Sequence, residues 1–364
     1  MAFKNIEIKH FRGINECQIE DLKQVNLFVG KNNCGKTSVL DAIFLLTSMS
    51  RPDSAIRTNF FRDFVTNNFQ EVISVLFYNL NLNQDVQIQS EGTDDRVLFI
   101  SPKFENPDKV EIEIADISQE PLVNQNEPKI KELTFRFETE NNEYEASIAE
   151  DNKSKIKSKD RKKATLILVG KTPKEYNESI KSKYINTKSS LIFSSKTLAS
   201  IIIGKDKQDI IEALQQIEPN IQNIEFSIDN KVMVDLGGYR LFPLEVLGDG
   251  IRRLLAIIIS IYECENGILL IDEIDNGLHY SSMDTLWKMI LSTAKKYNVQ
   301  IFATSHNIDS LQALKNVLET KSFSEQQNST VCYNLNRIKN DVLKSYQYNF
   351  DQFQYAIDME NEIR

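Results

Sequence analysis

Apolar and polar residues follow two rhythms along this chain, and the rhythm changes more than once. Near the start, KNIEIKHF (4–11) alternates as a half-buried strand does, while VNLFV (25–29) is a short apolar run that stops at Gly30. From Thr37 to Met49 the spacing becomes helical, with a dense apolar face suited to packing on a sheet. Between about 70 and 150 come short segments separated by polar turns: VISVLFYNL, DVQIQ, RVLFIS, KVEIEIADI, ELTFRFET and NEYEASIAE. They predict an antiparallel β region. KQDIIEALQQI then places Ile210, Ile211, Leu214 and Ile217 on one helical face until Pro219 stops it. IEFSI and KVMVDL read as strands, with Gly237–Gly238 as a turn.

From about 241 the pattern returns to strand and helix in alternation. A helix from Ile251, the strand GILLID, a helix over 281–297, the strand VQIFATS and a helix after His306 follow one another. Met283, Leu286, Trp287, Ile290, Leu291, Ala294 and Tyr297 make a stripe that core packing explains. No internal repeat is visible, and no heptad pattern lasts long enough for a coiled-coil arm.

At 364 residues and 41% hydrophobic content the chain can bury a substantial core, as two domains or as one with a large insertion. Its formal charge of −9 argues against a surface built throughout to hold nucleic acid, yet leaves room for a local basic patch. KSKIKSKDRKK (153–163) is such a run, read either as a solvated loop or as a contact for phosphate backbone or an acidic partner. Cys17, Cys34, Cys264 and Cys332 lie far apart with no metal-ligand spacing, the expectation for reduced thiols. The first residues lack an apolar signal core, and LLAIIISI (254–261) is too short to cross a bilayer. The expected setting is cytoplasmic, without a membrane partner.

The chemistry starts at Gly30-Lys31-Asn32-Asn33-Cys34-Gly35-Lys36-Thr37, a complete GxxxxGK[ST] between an apolar strand and an apolar helix. Glycines there let backbone N–H groups face phosphates, Lys36 reaches the outer phosphate oxygens, and the Thr37 hydroxyl ligates Mg²⁺. Gly30, Asn32, Asn33, Cys34, Gly35, Lys36, Thr37 and Ser38 are therefore candidate nucleotide contacts. Cys34 fills a free position of the loop. The strand GILLIDEID (267–275) ends in Asp272, placed for Mg²⁺, and Glu273, the natural general base for an attacking water. VQIFATSH (299–306) is another apolar strand, and it ends in His306 where a γ-phosphate sensor would sit.

In this order, the loop near residue 30, LGDGIRRLLAI, ILLIDEIDNGLH and IFATSH resemble the ABC-type ATPases of the RecF, SMC and OLD group. FRGI (11–14) and YAIDMENEIR (355–364) are most similar to the stand-alone OLD-like ATPases of bacterial anti-phage defence loci, including the ATPase subunit of PARIS-type systems. The resemblance implies an α/β P-loop ABC-ATPase head with a mixed central sheet, an antiparallel β extension, a helical signature lobe and no coiled-coil arm. It divides the chain into 1–85 and 241–364 as the two halves of the head, with 86–240 as the extension and lobe.

ATP and Mg²⁺ are the cofactors it implies, held between two copies in a head-to-tail dimer or a higher homo-oligomer. Gly248, Asp249 and Gly250 would cap the nucleotide of the second copy, although Gly248 stands where relatives carry serine and Asp249 where they carry glycine. Asp275 to His279 would be the D-loop, and Arg12 would contact nucleotide unless it is a plain surface arginine; the motifs leave the Q-loop glutamine unplaced, with Gln70 one candidate. Many OLD relatives append a TOPRIM nuclease, for which the sixty or so residues after His306 leave no room. The effector is thus expected as a separate protein. The alternatives are a RecF-like DNA repair ATPase, or a nucleotide-gated scaffold with negligible turnover.

Overall fold

The computed structural model describes residues 2–105, 129–139, 142–151, 166–186, 195–203, 207–227, 229 and 231–359. The segment KVEIEIADI, the basic run 153–163 and the last residues of YAIDMENEIR lie outside them.

Strands β1 (Ile6–Phe11) and β2 (Ile14–Ile19) form a hairpin, and β3 (Val25–Val29) leads through a loop into α1 (Lys36–Leu46). Helices α2 (Asp53–Phe60) and α3 (Phe69–Ser74) come next. Strands β4 (Val86–Ser90), β5 (Arg96–Phe104), β6 (Ile130–Thr139), β7 (Asn142–Glu150) and β8 (Leu168–Lys171) then meander, each antiparallel to the one before. After β9 (Ser182–Ile185), helices α4 (Ser195–Ile203) and α5 (Lys207–Gln215) precede a small sheet of β10 (Asn223–Phe226), β11 (Val232–Asp235) and β12 (Phe242–Pro243). The remainder runs α6 (Asp249–Glu263), β13 (Ile268–Ile271), α7 (Met283–Tyr297), β14 (Gln300–Thr304) and α8 (Ile308–Glu319). A hairpin, β15 (Thr330–Arg337) and β16 (Val342–Tyr348), and then α9 (Phe350–Asp358) complete it.

Among the described residues, thirteen strands form one sheet in the order β8-β7-β6-β5-β4-β1-β2-β16-β15-β3-β14-β13-β9. The β3, β14, β13 and β9 pairings are parallel, as are β15 with β3 and β16 with β2; the rest are antiparallel. The sheet is mixed, as expected, and the antiparallel extension is a continuation of it from β1 outward. β9, inside the stretch 86–240, is the edge strand beside β13 and so belongs to the parallel part.

Alternate residues of the parallel strands serve two cores, which makes three layers. Val25, Leu27 and Val29 pack with α6, α7 and α8 on one face, whereas Phe28 joins α1 on the other, against Phe302 and Tyr333. The α7 stripe is buried as expected, with Tyr297 partly so, and Trp287 Nε1 donates to the Ser310 carbonyl of α8 at 2.9 Å. α7 ends at Asn298 in the left-handed region (φ 51°) with Lys295 and Lys296 in its last turn, a favourable arrangement of cap and dipole. The longest helices of the described residues, α6 and α7, have 15 residues each, so none forms an arm or is long and apolar enough to cross a membrane.

VISVLFYNL is not the strand its apolar content suggested. It holds the end of α3 and a tight turn at Tyr78–Leu80 in which Asn79 and Leu80 have positive φ. Val72, Ile73, Leu76 and Phe77 are buried one and four positions apart, a helical spacing, and the Asn68 side chain caps α3 by accepting from the Gln70 N–H at 3.0 Å. All four cysteines are free and buried; burial pushes the Cys17 and Cys264 thiols up to about 12.

Candidate nucleotide site

The parallel strands β3, β14 and β13 end at one rim of the sheet, where open α/β sheets form their crevices. β3 passes into the glycine loop at Gly30 (φ 139°), and the loop closes at Gly35 (φ 120°), both conformations that side chains avoid. A Cβ on Gly30 would stand 2.5 Å from the Leu335 carbonyl oxygen, so β15 leaves no space for another residue. No side chain caps α1, whose first N–H groups therefore face the loop as an anion-binding end. Lys36 Nζ donates to the carbonyls of Gly30 at 2.7 Å and Lys31 at 3.0 Å.

Across the loop, Asp272 follows β13 and is 8% exposed. Two hydroxyls converge on its Oδ1: Thr304 Oγ1 at 2.7 Å and Thr37 Oγ1 at 3.2 Å. The Thr304 hydroxyl also accepts from the Glu273 N–H at 2.8 Å. One threonine thus joins the ends of β13 and β14. Glu273 itself has φ 47°, a left-handed backbone that costs about 1–3 kcal/mol for a non-glycine residue. A buried arginine holds the same corner from α6: Arg253 donates to the carbonyls of Asn186 and Asp272 at 2.9 Å and of Glu273 at 3.2 Å. Burial lowers its pKa, and the nearby Asp272, Asp275 and Glu273 oppose that.

Beneath the loop lies a charged cluster. Asp41, on α1 and fully buried, faces Arg12 Nε at 3.2 Å and Arg62 Nη2 at 2.8 Å. Arg12 also donates to Thr58 Oγ1 at 2.6 Å and Asn59 Oδ1 at 2.9 Å, while Arg62 reaches Ser38 Oγ at 3.2 Å. Burial raises the Asp41 carboxyl and lowers Arg12 to about 10; the ion pairs oppose both shifts.

The loop, the Asp272 corner and the two arginines of this cluster border one open cleft of about 810 Å³. Asn32, Asn33, Gly35, Lys36, Thr37, Ser38, Asp272, Glu273, His306 and Arg12 come together there. Gly30 and Cys34 form the underside of the loop, with Cys34 buried at 6% exposure. Arg12 is not the plain surface arginine of one reading: its side chain is 9% exposed and its donors engage α1 and α2. Gln70 sits at the start of α3 and does not line the cleft. Gly248, Asp249 and Gly250 open α6 beside Leu278 and Gly277, away from the cleft of their own chain, and the Asp249 carboxylate pairs with Arg252. His279 accepts from the Ser281 N–H and packs on Tyr280.

Several participants were missed in the sequence. Asp41 and Arg253 carry a signal, each a charge inside an apolar helical face (VLDAIF, IRRLLAI). Thr304, Arg62 and Arg337 carry none, since distant elements bring them in.

A strand, glycine loop and Lys-Thr helix facing a parallel strand that ends in Asp-Glu define an ABC-type P-loop ATPase. Residues 25–311 match the family described as "AAA domain, putative AbiEii toxin, Type IV TA system", and the chain belongs to that family. A Helicobacter pylori protein named ATP/GTP phosphatase is 25% identical over 348 residues, which cover 89% of this chain and 90% of its own length. The DNA replication and repair protein RecF of Streptococcus agalactiae is 32% identical over 92 residues, a quarter of each chain. Among solved structures, the Smc head domain with an extended coiled coil bound to the C-terminal domain of ScpA, from Pyrococcus furiosus, aligns over 99% of both chains with a TM-score of 0.48 and 10% identity.

Proposed function

We propose that this chain binds ATP with Mg²⁺, hydrolyses it between two copies of itself, and through that cycle controls a separate effector in anti-phage defence. The observation that carries the catalytic part is the convergence of Thr37 and Thr304 on Asp272 Oδ1, with Glu273 and His306 in the same cleft. A hydroxyl and a carboxylate beside a phosphate loop are hard oxygen donors, which suit Mg²⁺. Thr37 and Asp272 would hold it, and it would neutralise charge building on the transferred phosphoryl group. Glu273 takes the proton of the attacking water, held at its angle by Thr304 below the backbone and Arg253 behind it. His306 faces the terminal phosphate, and Lys36 exchanges its loop carbonyls for phosphate oxygens.

Gly248, Asp249 and Gly250 act on the nucleotide of the second copy in this reading. The Arg252 pairing keeps the Asp249 carboxylate turned to its own helix, which lessens its repulsion of phosphate. The H. pylori relative's name supports phosphatase chemistry, and the toxin–antitoxin description of the family supports the defence role.

Mass in solution and phosphate release, with and without ATP–Mg²⁺, test the cycle on wild type and Glu273→Gln. The expected result is turnover reduced about 10²–10⁴-fold in the variant, which accumulates as an ATP-dependent closed assembly. Equal release by both proteins with no response of mass to ATP would overturn it. Plating phage on cells carrying the intact locus, with wild type or Lys36→Ala, tests the defence role; equal plating removes it. The RecF match favours a second reading, DNA repair, which requires salt-sensitive duplex binding by the purified chain.

A further inference from the structure

β15 is parallel to β3 with Asn334 opposite Val29, so its last three residues run on past the start of the phosphate loop. Leu335 comes under Gly30, and Arg337, two residues later, lines the cleft. Its Nη2 lies 3.0 Å from where a Cβ on Gly13 would stand and 3.9 Å from one on Gly35. Gly13 of the FRGI segment therefore leaves the space that the guanidinium fills.

The chain then turns through Asn340 (φ 60°) and Asp341 (φ 53°) into β16. Asp341 Oδ1 accepts from Arg337 Nη1 at 3.3 Å, and its Oδ2 accepts from the Tyr78 hydroxyl at 2.8 Å. Tyr78 adjoins Asn79 and Leu80, which line the same cleft. Arg337 thus stands at the mouth of an anion-binding loop, steadied along one edge.

The three cleft arginines differ in what they have left to give. Arg12 and Arg62 both pair with the fully buried Asp41. Arg337 pairs with an aspartate whose side chain is itself 38% exposed, and among the described residues nothing accepts from its Nη2 or Nε. A guanidinium has five donors in a rigid fork that matches phosphate oxygens.

We propose that Arg337 is a nucleotide-contacting residue, donating through its free edge to the phosphates held by the glycine loop of the same chain. Asp341 and Tyr78 position it. This rests on the nucleotide reading given above and adds a contact from the C-terminal hairpin to it.

Calorimetric titration of the full chain with ATP and with ADP tests the contact, using wild type, Lys36→Ala, Arg337→Met and Arg337→Lys. Loss of a charge-assisted hydrogen bond predicts about 10–100-fold weaker binding for Arg337→Met, with Arg337→Lys between it and wild type. The salt dependence of binding flattens, while melting without nucleotide is unchanged. Arg337→Met within about threefold of wild type, with Lys36→Ala strongly impaired, overturns this contact alone. Wild type that binds neither nucleotide overturns the contact and the nucleotide reading together. Should Arg337→Met fail to fold, phenylglyoxal labelling of wild type decides: protection of Arg337 by ATP supports the contact, and equal labelling with and without ATP overturns it.

Discussion

The two halves of the large sheet are made differently. β3, β13 and β14 are buried at every position, while β4 and β5 alternate buried with half-exposed residues over most of their length. Parallel strands need crossovers that cover both faces, so their sequences are continuous apolar runs; the antiparallel arm covers one face and keeps the other polar. Polar groups in the parallel half therefore work where water is scarce. Asp41, Asp272, Thr304 and Arg253 are all buried, and each is held by named partners. In the arm, ion pairs such as Lys103–Glu145 at 2.9 Å sit with about half of each side chain exposed. The sheet thus carries a buried, partnered polar site at one end, while toward the other the ion pairs between strands are exposed, and Arg96, buried at the start of β5 with Asp94 and Glu178, is the exception.

That contrast can be broken by experiment, and the Asp41 cluster offers the largest effect. Asp41→Ala leaves Arg12 and Arg62 without their buried counter-charge, which predicts a loss of about 3–5 kcal/mol in chemical denaturation. A loss below about 1 kcal/mol would mean that water or the neighbouring hydroxyls already serve these arginines. Thr304→Val is intermediate. It removes a donor to Asp272 and the acceptor for the Glu273 N–H, so about 1–3 kcal/mol of stability is expected to go. Because Glu273 has a left-handed backbone, phosphate release should fall by more than stability explains; a variant that loses stability but keeps wild-type turnover would separate Thr304 from the chemistry. The smallest effect belongs to the arm. Glu145→Gln should stay within about 0.5 kcal/mol of wild type, and a loss like that of Asp41→Ala would erase the distinction between the halves.

Much of the parallel half could be read from the chain. Its strands are short apolar runs that end in chemistry, at Gly30, at Asp272 and just before His306, and local order alone places the glycine loop and the Asp-Glu pair. Among the described residues the antiparallel arm was legible from alternation, apart from VISVLFYNL, where apolar content concealed a helical spacing of one and four. The C-terminal hairpin was not foreseen. β15 pairs with β3 from some 300 residues away, and no local pattern announces which strand will slip between β2 and β3.

The sequence by itself determined the phosphate loop, the Asp272–Glu273 pair and the layered α/β class, since each depends on neighbours within a few residues. Tertiary structure alone decided which polar groups stand behind them. Thr304 finds Asp272 only because β14 lies beside β13, Arg253 finds their carbonyls because α6 packs over that rim, and Arg337 reaches the cleft because β15 outruns β3. The physical reason is the range of the interactions. Backbone conformation and apolar rhythm are local, whereas a buried hydrogen bond or ion pair needs a partner brought close by the fold, and its strength comes from the water which that fold excludes.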